Sequence, residues 1–197
     1  EVLPSMRSMQ FGGAAIEVAH NRMYNCAFMP IDSCVAFAEA MFLLLGGTGV
    51  GYSVQQHNID QLPPKVREFH GTKEFAINDD IEGWADSIKV CVINKLEGYD
   101  TVFDYSLIRP KGTLLKTSGG RAPGSKPLEV CLDRIAELID TRVKPGHKMS
   151  TLDAHDIMCH LSEAVLSGGI RRSAMIALFD HTDEEMLLSK SGKWWET

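Results

Sequence analysis

The sequence lacks the features that mark membrane proteins and secreted proteins. No run reaches the roughly 18 apolar residues that a membrane-spanning helix needs, and Glu39 interrupts the longest run, residues 35–45. No secretory signal is visible, although Glu1 is not a start methionine. The five cysteines are odd in number and include no Cys-x-x-Cys pair. We therefore predict a cytoplasmic protein with free thiols.

The sequence also lacks an excess of positive charge. The formal net charge is -6 and the isoelectric point is near 5.6, which argues against broad binding to nucleic acid or to anionic membranes. A local basic pocket for one phosphorylated ligand stays open. The apolar content of 44% and the charged content of 23% are ordinary for a soluble globular chain. The 197 residues suffice for one domain or for part of a larger one.

Common catalytic and nucleotide-binding motifs are missing as well. Residues 46–51 contain four glycines, but no Gly-Lys-Ser/Thr follows, and the predicted order is helix then strand, the reverse of a dinucleotide fingerprint. Either a tight turn or a backbone that approaches a ligand closely explains the glycines. His155 and Cys159 could face a metal from one helix, but no second ligand pair exists, so we predict no metal site.

Short strands and helices alternate along the chain, which indicates the α/β class. The patterns predict strands at 24–29, 52–54, 102–105 and 174–179, and helices at 34–45, 79–96, 127–144, 150–167 and 182–189, the third and fourth as a hairpin. Residues 55–78 are polar and are predicted to form a surface excursion. Asp79 with Glu82, and Thr182 with Glu185, are predicted to be helix caps.

Two glycine-rich stretches contain arginines. After Gly168 and Gly169 come Arg171 and Arg172 and then an apolar run, so a flexible loop with planar cationic donors precedes a core strand. A helix cap followed by surface arginines is the alternative. Residues 108–127 combine glycines with five cations, a pattern that suits anions or an ordinary solvated loop.

Cys26 differs from the other four cysteines. Cys34, Cys91, Cys131 and Cys159 fall in predicted helices with apolar neighbours, so core packing accounts for them. Cys26 follows the polar Asn25 in a short strand, where a thiol could face a cavity.

Six motifs occur in the order and approximate spacing of one enzyme family. They are Pro4-Ser5-Met6-Arg7, Tyr24-Asn25-Cys26, residues 46–54, residues 108–112, residues 118–124 and residues 168–174. Together they resemble the ribonucleotide reductase catalytic subunit. The resemblance is greatest to the adenosylcobalamin-dependent class and its ribonucleoside-triphosphate reductases.

The resemblance implies a fold and a set of site residues. The family fold is a ten-stranded α/β barrel of two five-stranded halves, and residues 1–197 resemble the N-terminal half, with an excursion at about 55–107 like that of the monomeric, insertion-bearing enzymes. Cys26 matches one of two cysteines that reduce the substrate and become a disulfide. The implied substrate-binding residues are Ser5, Asn25, Thr48 and Gly49. The implied effector-binding residues are Asp32, Ser33, Gly168, Gly169, Arg171 and Arg172.

The family's radical cysteine, second redox cysteine and catalytic asparagine and glutamate are not found in this sequence. We therefore expect a fragment or one half of a split enzyme that does not turn over alone. The implied ligands and partners are a ribonucleoside di- or triphosphate, a deoxynucleotide or ATP effector, adenosylcobalamin held largely outside this chain, a thioredoxin-like reductant and the missing half. A non-catalytic nucleotide-binding regulatory fragment and a generic α/β protein are the alternatives.

Overall fold

The strands form two separate parallel sheets. The computed structural model describes residues 6–114, 120–167 and 173–192, and within them the strands are β1 (Cys26–Pro30), β2 (Gly49–Ser53), β3 (Gly71–Ala76), β4 (Tyr99–Asp104) and β5 (Met175–Leu178). The first sheet has the order β1-β2-β5, with β2 in the centre, and the second pairs β3 with β4. In the first sheet Cys26 lies opposite Gly49, and Gly51 lies between Phe28 and Ile176.

Only one face of the three-stranded sheet is covered within the described residues. Met29, Val50 and Tyr52 are buried under helices α3 (Cys34–Gly46) and α7 (Thr151–Ser167). On the opposite face Phe28 is 63% exposed and Ile176 is 67% exposed. Parallel sheets are normally covered on both faces, so this apolar face is incomplete as it stands.

Four helices form a closed layer beside the sheet. They are α3, α5 (Ile81–Leu96), α6 (Lys126–Arg142) and α7, and each packs against two of the others. Helix α3 is apolar on nearly every side, as burial between a sheet and two helices requires. The predicted hairpin of α6 and α7 is confirmed.

The second sheet changes the interpretation of the predicted surface excursion, because β3 lies inside residues 55–78. Helix α5 connects β3 to β4, which makes a βαβ unit. The outward side chains of β3, such as Thr72 and Glu74, are exposed, and Phe75 packs edge-on against Phe103. A strand with an apolar contact of this kind at one position shows little alternation of polar and apolar residues in its sequence.

The N-terminal residues form short helices, α1 (Met6–Phe11) and α2 (Ala14–Ala19), followed by a 3₁₀ turn at His20–Met23. Arg7 anchors them, since its guanidinium donates to the carbonyls of Arg22 at 3.1 Å and Gly47 at 2.5 Å. The remaining short helices are α4 (Gln56–Ile59) and α8 (Glu184–Leu188). None of the helices in the described ranges is long and apolar enough to cross a membrane.

Two predicted helix caps are wrong by one residue. Asp80, not Asp79, caps α5 by accepting from the Gly83 N–H at 2.6 Å, while Asp79 pairs with Arg109 at 2.5 Å. Asp183, not Thr182, caps α8 through the Met186 N–H. In each case two adjacent polar residues could cap. Arg109 engages Asp79, whereas at α8 the capping Asp183 also accepts from the Thr151 hydroxyl.

Candidate functional site

Cys26 lies at the first position of β1 with its thiol free and exposed. Its alternation with the buried Met29 and the exposed Phe28 places it on the uncovered face of the sheet. Its pairing partner in β2 is Gly49. The sulfur therefore lies on the open sheet face, opposite a residue without a side chain; that it faces a cavity stays a prediction.

Backbone hydrogen bonds join the residues around Cys26 into one row across the sheet. The Gly49 N–H donates to the Asn25 carbonyl, and the Val50 N–H donates to the Ala174 carbonyl, both at 2.9 Å. Adjacent strands are about 4.8 Å apart, so Ala174 lies about 10 Å from Cys26 across the row. The end of the sheet where the strands begin therefore holds one row of four residues, Asn25, Cys26, Gly49 and Ala174. We call these four residues the edge row.

Gly49 is not required by the fold itself. Its φ is not positive, and a Cβ built on it would meet its nearest neighbours, Ala174 and the Asn25 carbonyl, at 3.7 Å, an ordinary contact. A Cβ would therefore fit at Gly49 without displacing a neighbour, so the glycine leaves room for a methyl group opposite Cys26.

The side chain of Thr48 is used by the fold and does not face the edge row. The residue is 2% exposed, and its Oγ1 donates to the Tyr24 carbonyl at 3.1 Å. This bond ties the turn before β2 to the segment before Cys26. Gly47, with φ 86°, ends α3 in a Schellman motif, since its N–H donates to Leu44 and the Thr48 N–H donates to Leu43. The glycine-rich stretch thus forms a tight turn at Gly47 and then begins strand β2 at Gly49.

The predicted effector and substrate residues are only partly within the described ranges. Ser5, Gly168, Gly169, Arg171 and Arg172 lie outside them. The residues that flank residues 168–172, which we call the arginine segment, are described: α7 ends at Ser167, and the Ser162 hydroxyl donates to the Ser173 hydroxyl at 2.7 Å. Ser173, the first described residue after the segment, directly precedes Ala174 of the edge row.

Asp32 and Ser33 lie at the other end of the sheet. They follow the last residue of β1 and precede α3, whereas Ser173 precedes the first residue of the parallel strand β5. Ser33 occupies the N-cap position of α3, but its hydroxyl makes no capping hydrogen bond. Within this chain, Ser33 and the flanks of the arginine segment are separated by the strand length and do not line one pocket.

The other cysteines divide into two groups. Cys34, Cys91 and Cys131 are buried, and burial raises the pKa of Cys34 to about 11, that of Cys91 to about 12 and that of Cys131 well above its usual range. The prediction of core packing is wrong for Cys159, which is exposed. Its sulfur lies 3.6 Å from His155 Nε2.

Tyr52 joins this pair from β2, a contact that the sequence did not indicate. Its hydroxyl lies 2.7 Å from His155 Nδ1. Burial lowers the pKa of His155 and raises the pKa of Cys159. Tyr52 and His155 are far apart in sequence, and no short-range pattern connects them.

A cleft of about 360 Å³ lies between α6 and α7. Lys111, Lys126, Arg134 and His160 line it together with Glu163. Arg134 pairs with Glu163, and Lys126 pairs with Glu129 at 3.2 Å. Much of the positive charge in the cleft is therefore already compensated by carboxylates.

Comparisons with known proteins point to one family, although no family model matches the chain. The adenosylcobalamin-dependent ribonucleoside-triphosphate reductase of Euglena gracilis is 33% identical over 173 residues, which are 85% of this chain and 23% of that protein. The enzyme of the same name from Lacticaseibacillus paracasei is 28% identical over 188 residues, 75% of this chain and 25% of that protein.

A crystal structure of a B12-dependent, class II ribonucleotide reductase has the same fold. Its TM-score is 0.76 at 22% identity, over 87% of this chain and 31% of that one. The chain spans about a quarter of the length of the curated relatives it matches. The chain therefore belongs to the family of adenosylcobalamin-dependent ribonucleoside-triphosphate reductases.

Proposed function

We propose that this chain is the N-terminal part of a ribonucleotide reductase catalytic subunit that converts ribonucleotides to 2′-deoxyribonucleotides by radical chemistry. The observation that supports this most is the edge row. An exposed free thiol, Cys26, lies opposite Gly49, which has no side chain. Ala174, two residues after the arginine segment, lies in the same row.

The proposed role of Cys26 is reductive. Removal of the 2′-hydroxyl as water consumes two electrons and two protons. Two thiols supply both as they become one disulfide, and Cys26 is one of these thiols. Its partner belongs to the part of the protein beyond this chain. A thioredoxin-like reductant would then reduce the disulfide and permit the next turnover.

Asn25, Thr48 and Gly49 are proposed to hold the ribose of the substrate next to Cys26, with Ser5 as a further contact. The Asn25 carbonyl, the Thr48 side chain and the N–H groups of Thr48 and Gly49 are engaged in the fold. The Asn25 side chain is therefore left for the ligand, and Gly49 contributes by presenting no side chain. Whether a di- or a triphosphate is used depends on contacts outside the edge row.

Adenosylcobalamin supplies, when bound to the complete enzyme, the radical that is relayed to a cysteine on the missing part. The family resemblance implies that the residues that hold this cofactor lie largely outside this chain. This chain contributes substrate positioning and one reducing thiol.

The uncovered sheet face supports the proposal of half a barrel. Phe28, Ile176 and Leu178 are exposed on it, and a parallel sheet requires cover on that side. We propose that the rest of a ten-stranded barrel supplies the cover, in the same or a separate chain. A reducing cytoplasm is the compartment that fits five free thiols.

We propose that the arginine segment, with Gly168, Gly169, Arg171 and Arg172, transmits effector identity to the substrate site. The position of Ala174, two residues after the segment and in the same row as Cys26, supports the substrate side of this role. Asp32 and Ser33 are proposed to contact the effector ribose. They lie at the far end of the sheet from Ser173, the first described residue after the arginine segment.

Ribonucleotide reduction by the full-length protein tests the proposal. With adenosylcobalamin and an external dithiol, Cys26→Ser should abolish multiple turnover and leave nucleotide binding intact. Cys91→Ser is the matched control, because Cys91 is a buried helix thiol that already donates to the Leu132 carbonyl at 3.7 Å. Retained turnover in Cys26→Ser contradicts the redox role. Nucleotide binding without any reduction would favour a regulatory fragment.

A further inference from the structure

Tyr52, His155 and Cys159 form a cluster that the reductive role of the chain does not use. His155 and Cys159 are one helical turn apart on α7, and Tyr52 belongs to the central strand β2. The three side chains are connected in series, with Tyr52 Oη 2.7 Å from His155 Nδ1 and His155 Nε2 3.6 Å from Cys159 Sγ. Cys159 is exposed at the end of this series.

The distance between the two outer donor atoms matches a tetrahedral metal site. Zinc binds sulfur at about 2.3 Å and imidazole nitrogen at about 2.0–2.1 Å, and at a tetrahedral angle these bonds place the two donors about 3.6 Å apart. Cys159 Sγ and His155 Nε2 are already separated by 3.6 Å. No rotamer change or helix movement is needed to bring them to this spacing.

Tyr52 supplies the support that ligating histidines usually have. A metal-bound imidazole commonly donates its other N–H to a fixed acceptor, which holds the ring plane. Tyr52 is 1% exposed, so its hydroxyl is a rigid partner for His155 Nδ1. When Nδ1–H donates to this hydroxyl, Nε2 carries the lone pair of the ring, and it lies 3.6 Å from Cys159 Sγ.

We propose that His155 and Cys159 bind a thiophilic divalent cation of the Zn²⁺ class, with Tyr52 as the residue that positions the imidazole. The thiol proton leaves when the metal–sulfur bond forms. Two coordination positions stay open for water, since no third His, Cys, Asp or Glu ligand is grouped with them in the described ranges. Because Cys159 is exposed, these positions face solvent.

Cobalt(II) is the probe for this site, because a thiolate–cobalt bond gives a charge-transfer band and tetrahedral coordination gives strong visible absorption. Co²⁺ titrated into the reduced, metal-free protein should produce both, and Zn²⁺ should displace them. Cys159→Ser should remove the charge-transfer band, and His155→Gln should weaken binding at least tenfold. Tyr52→Phe keeps the ring in the core and should weaken binding by about 10–100-fold.

Two variants control for other thiols and imidazoles. Cys26→Ser removes the other exposed thiol, and His160→Gln removes the neighbouring imidazole on the same helix. Both should leave the Co²⁺ spectrum unchanged. A band that persists in Cys159→Ser, or that disappears in Cys26→Ser, would overturn the proposal. So would a wild-type protein that gives no charge-transfer band, which would leave the three residues as a hydrogen-bonded cluster only.

Discussion

Few side chains line the candidate site around Cys26. Thr48 directs its hydroxyl into the fold, and Gly49 has no side chain at all. The surface of the candidate site is therefore mostly backbone at the end of a sheet, with the Cys26 thiol and the exposed Asn25 side chain. Such a surface favours close approach of a ribose over selection by charged groups.

Gly49 and Gly47 allow function and stability to be separated. Gly49→Ala should change the free energy of unfolding by less than about 0.5 kcal/mol, because its Cβ would make only ordinary contacts. The same Cβ would fill the space beside Cys26, so the KM for the ribonucleotide should rise at least tenfold. Denaturant unfolding and steady-state kinetics measure the two effects.

Gly47→Ala is the matched comparison and should behave in the opposite way. Gly47 has φ 86°, a left-handed conformation that costs a residue with a Cβ about 1–2 kcal/mol. Its expected effect is a loss of stability of this size with KM little changed. Equal losses of stability in the two variants would contradict the assignment of open space at Gly49.

The thiols should react with an alkylating reagent according to burial. At pH 8 the native protein should be labelled at Cys26 and Cys159, and not at Cys34, Cys91 or Cys131, whose raised pKa values and burial suppress the thiolate. Peptide mapping by mass spectrometry identifies the sites, and all five should react in denaturant. Native labelling of Cys91 or Cys131 would contradict the packing of α5 against α6.

At the scale of elements, Asp180 fastens the C-terminal end of β5 to α4. Its carboxylate accepts from the Gln56 N–H at 2.8 Å and from the Gln55 side-chain amide at 3.0 Å. These hydrogen bonds, the first to the Gln56 backbone, hold the pKa of Asp180 below its ordinary value. At the other end of the same sheet, the hydrogen bonds of the edge row join the starts of β2 and β5. Hydrogen bonds therefore connect these two strands to their neighbours at both ends.

The stabilising effect of Asp180 should depend on pH. A carboxyl group whose folded-state pKa is lowered stabilises the fold above its unfolded-state pKa, and this effect disappears as the pH falls through the folded-state pKa. Asp180→Ala should therefore be less stable than the native sequence at pH 7, and the difference should shrink below about pH 4. Denaturant midpoints at several pH values measure it. A difference that stays constant down to pH 2.5 would contradict a role for the ionised form.

At the scale of the whole molecule, the arginine segment connects helix α7 to the strand next to the candidate site. A loop that contacts two ligands can couple their affinities, commonly by 5–150-fold. In the complete enzyme, a change of effector should alter the ratio of the kcat/KM values for two substrates. In Arg171→Ala this ratio should stay nearly the same whichever effector is bound. Arg142→Ala, which removes a surface arginine paired with Asp156 at 2.5 Å, should leave that effect intact. Unchanged selectivity in Arg171→Ala would indicate an ordinary surface arginine.

Local patterns determined most of the elements. Apolar spacing and glycines predicted α3, α5, α6, α7 and β5 to within a few residues, because these elements bury a continuous apolar face. The strand β3 escaped prediction because its packing rests largely on Phe75 against Phe103. The caps Asp80 and Asp183 were each missed by one residue, since two adjacent side chains were equally suited and contacts from distant residues made the choice.

The sequence by itself determined the α/β class, the family resemblance and the distinct position of Cys26, because residue order and short-range spacing encode these features. Only the tertiary structure decided which residues meet. Strand pairing brought Gly49 and Ala174 to Cys26, parallel topology placed Asp32 and Ser33 at the opposite end, and the packing of α7 on β2 joined Tyr52 to His155 and Cys159. Such contacts depend on strand order and register, which residues distant in sequence fix together.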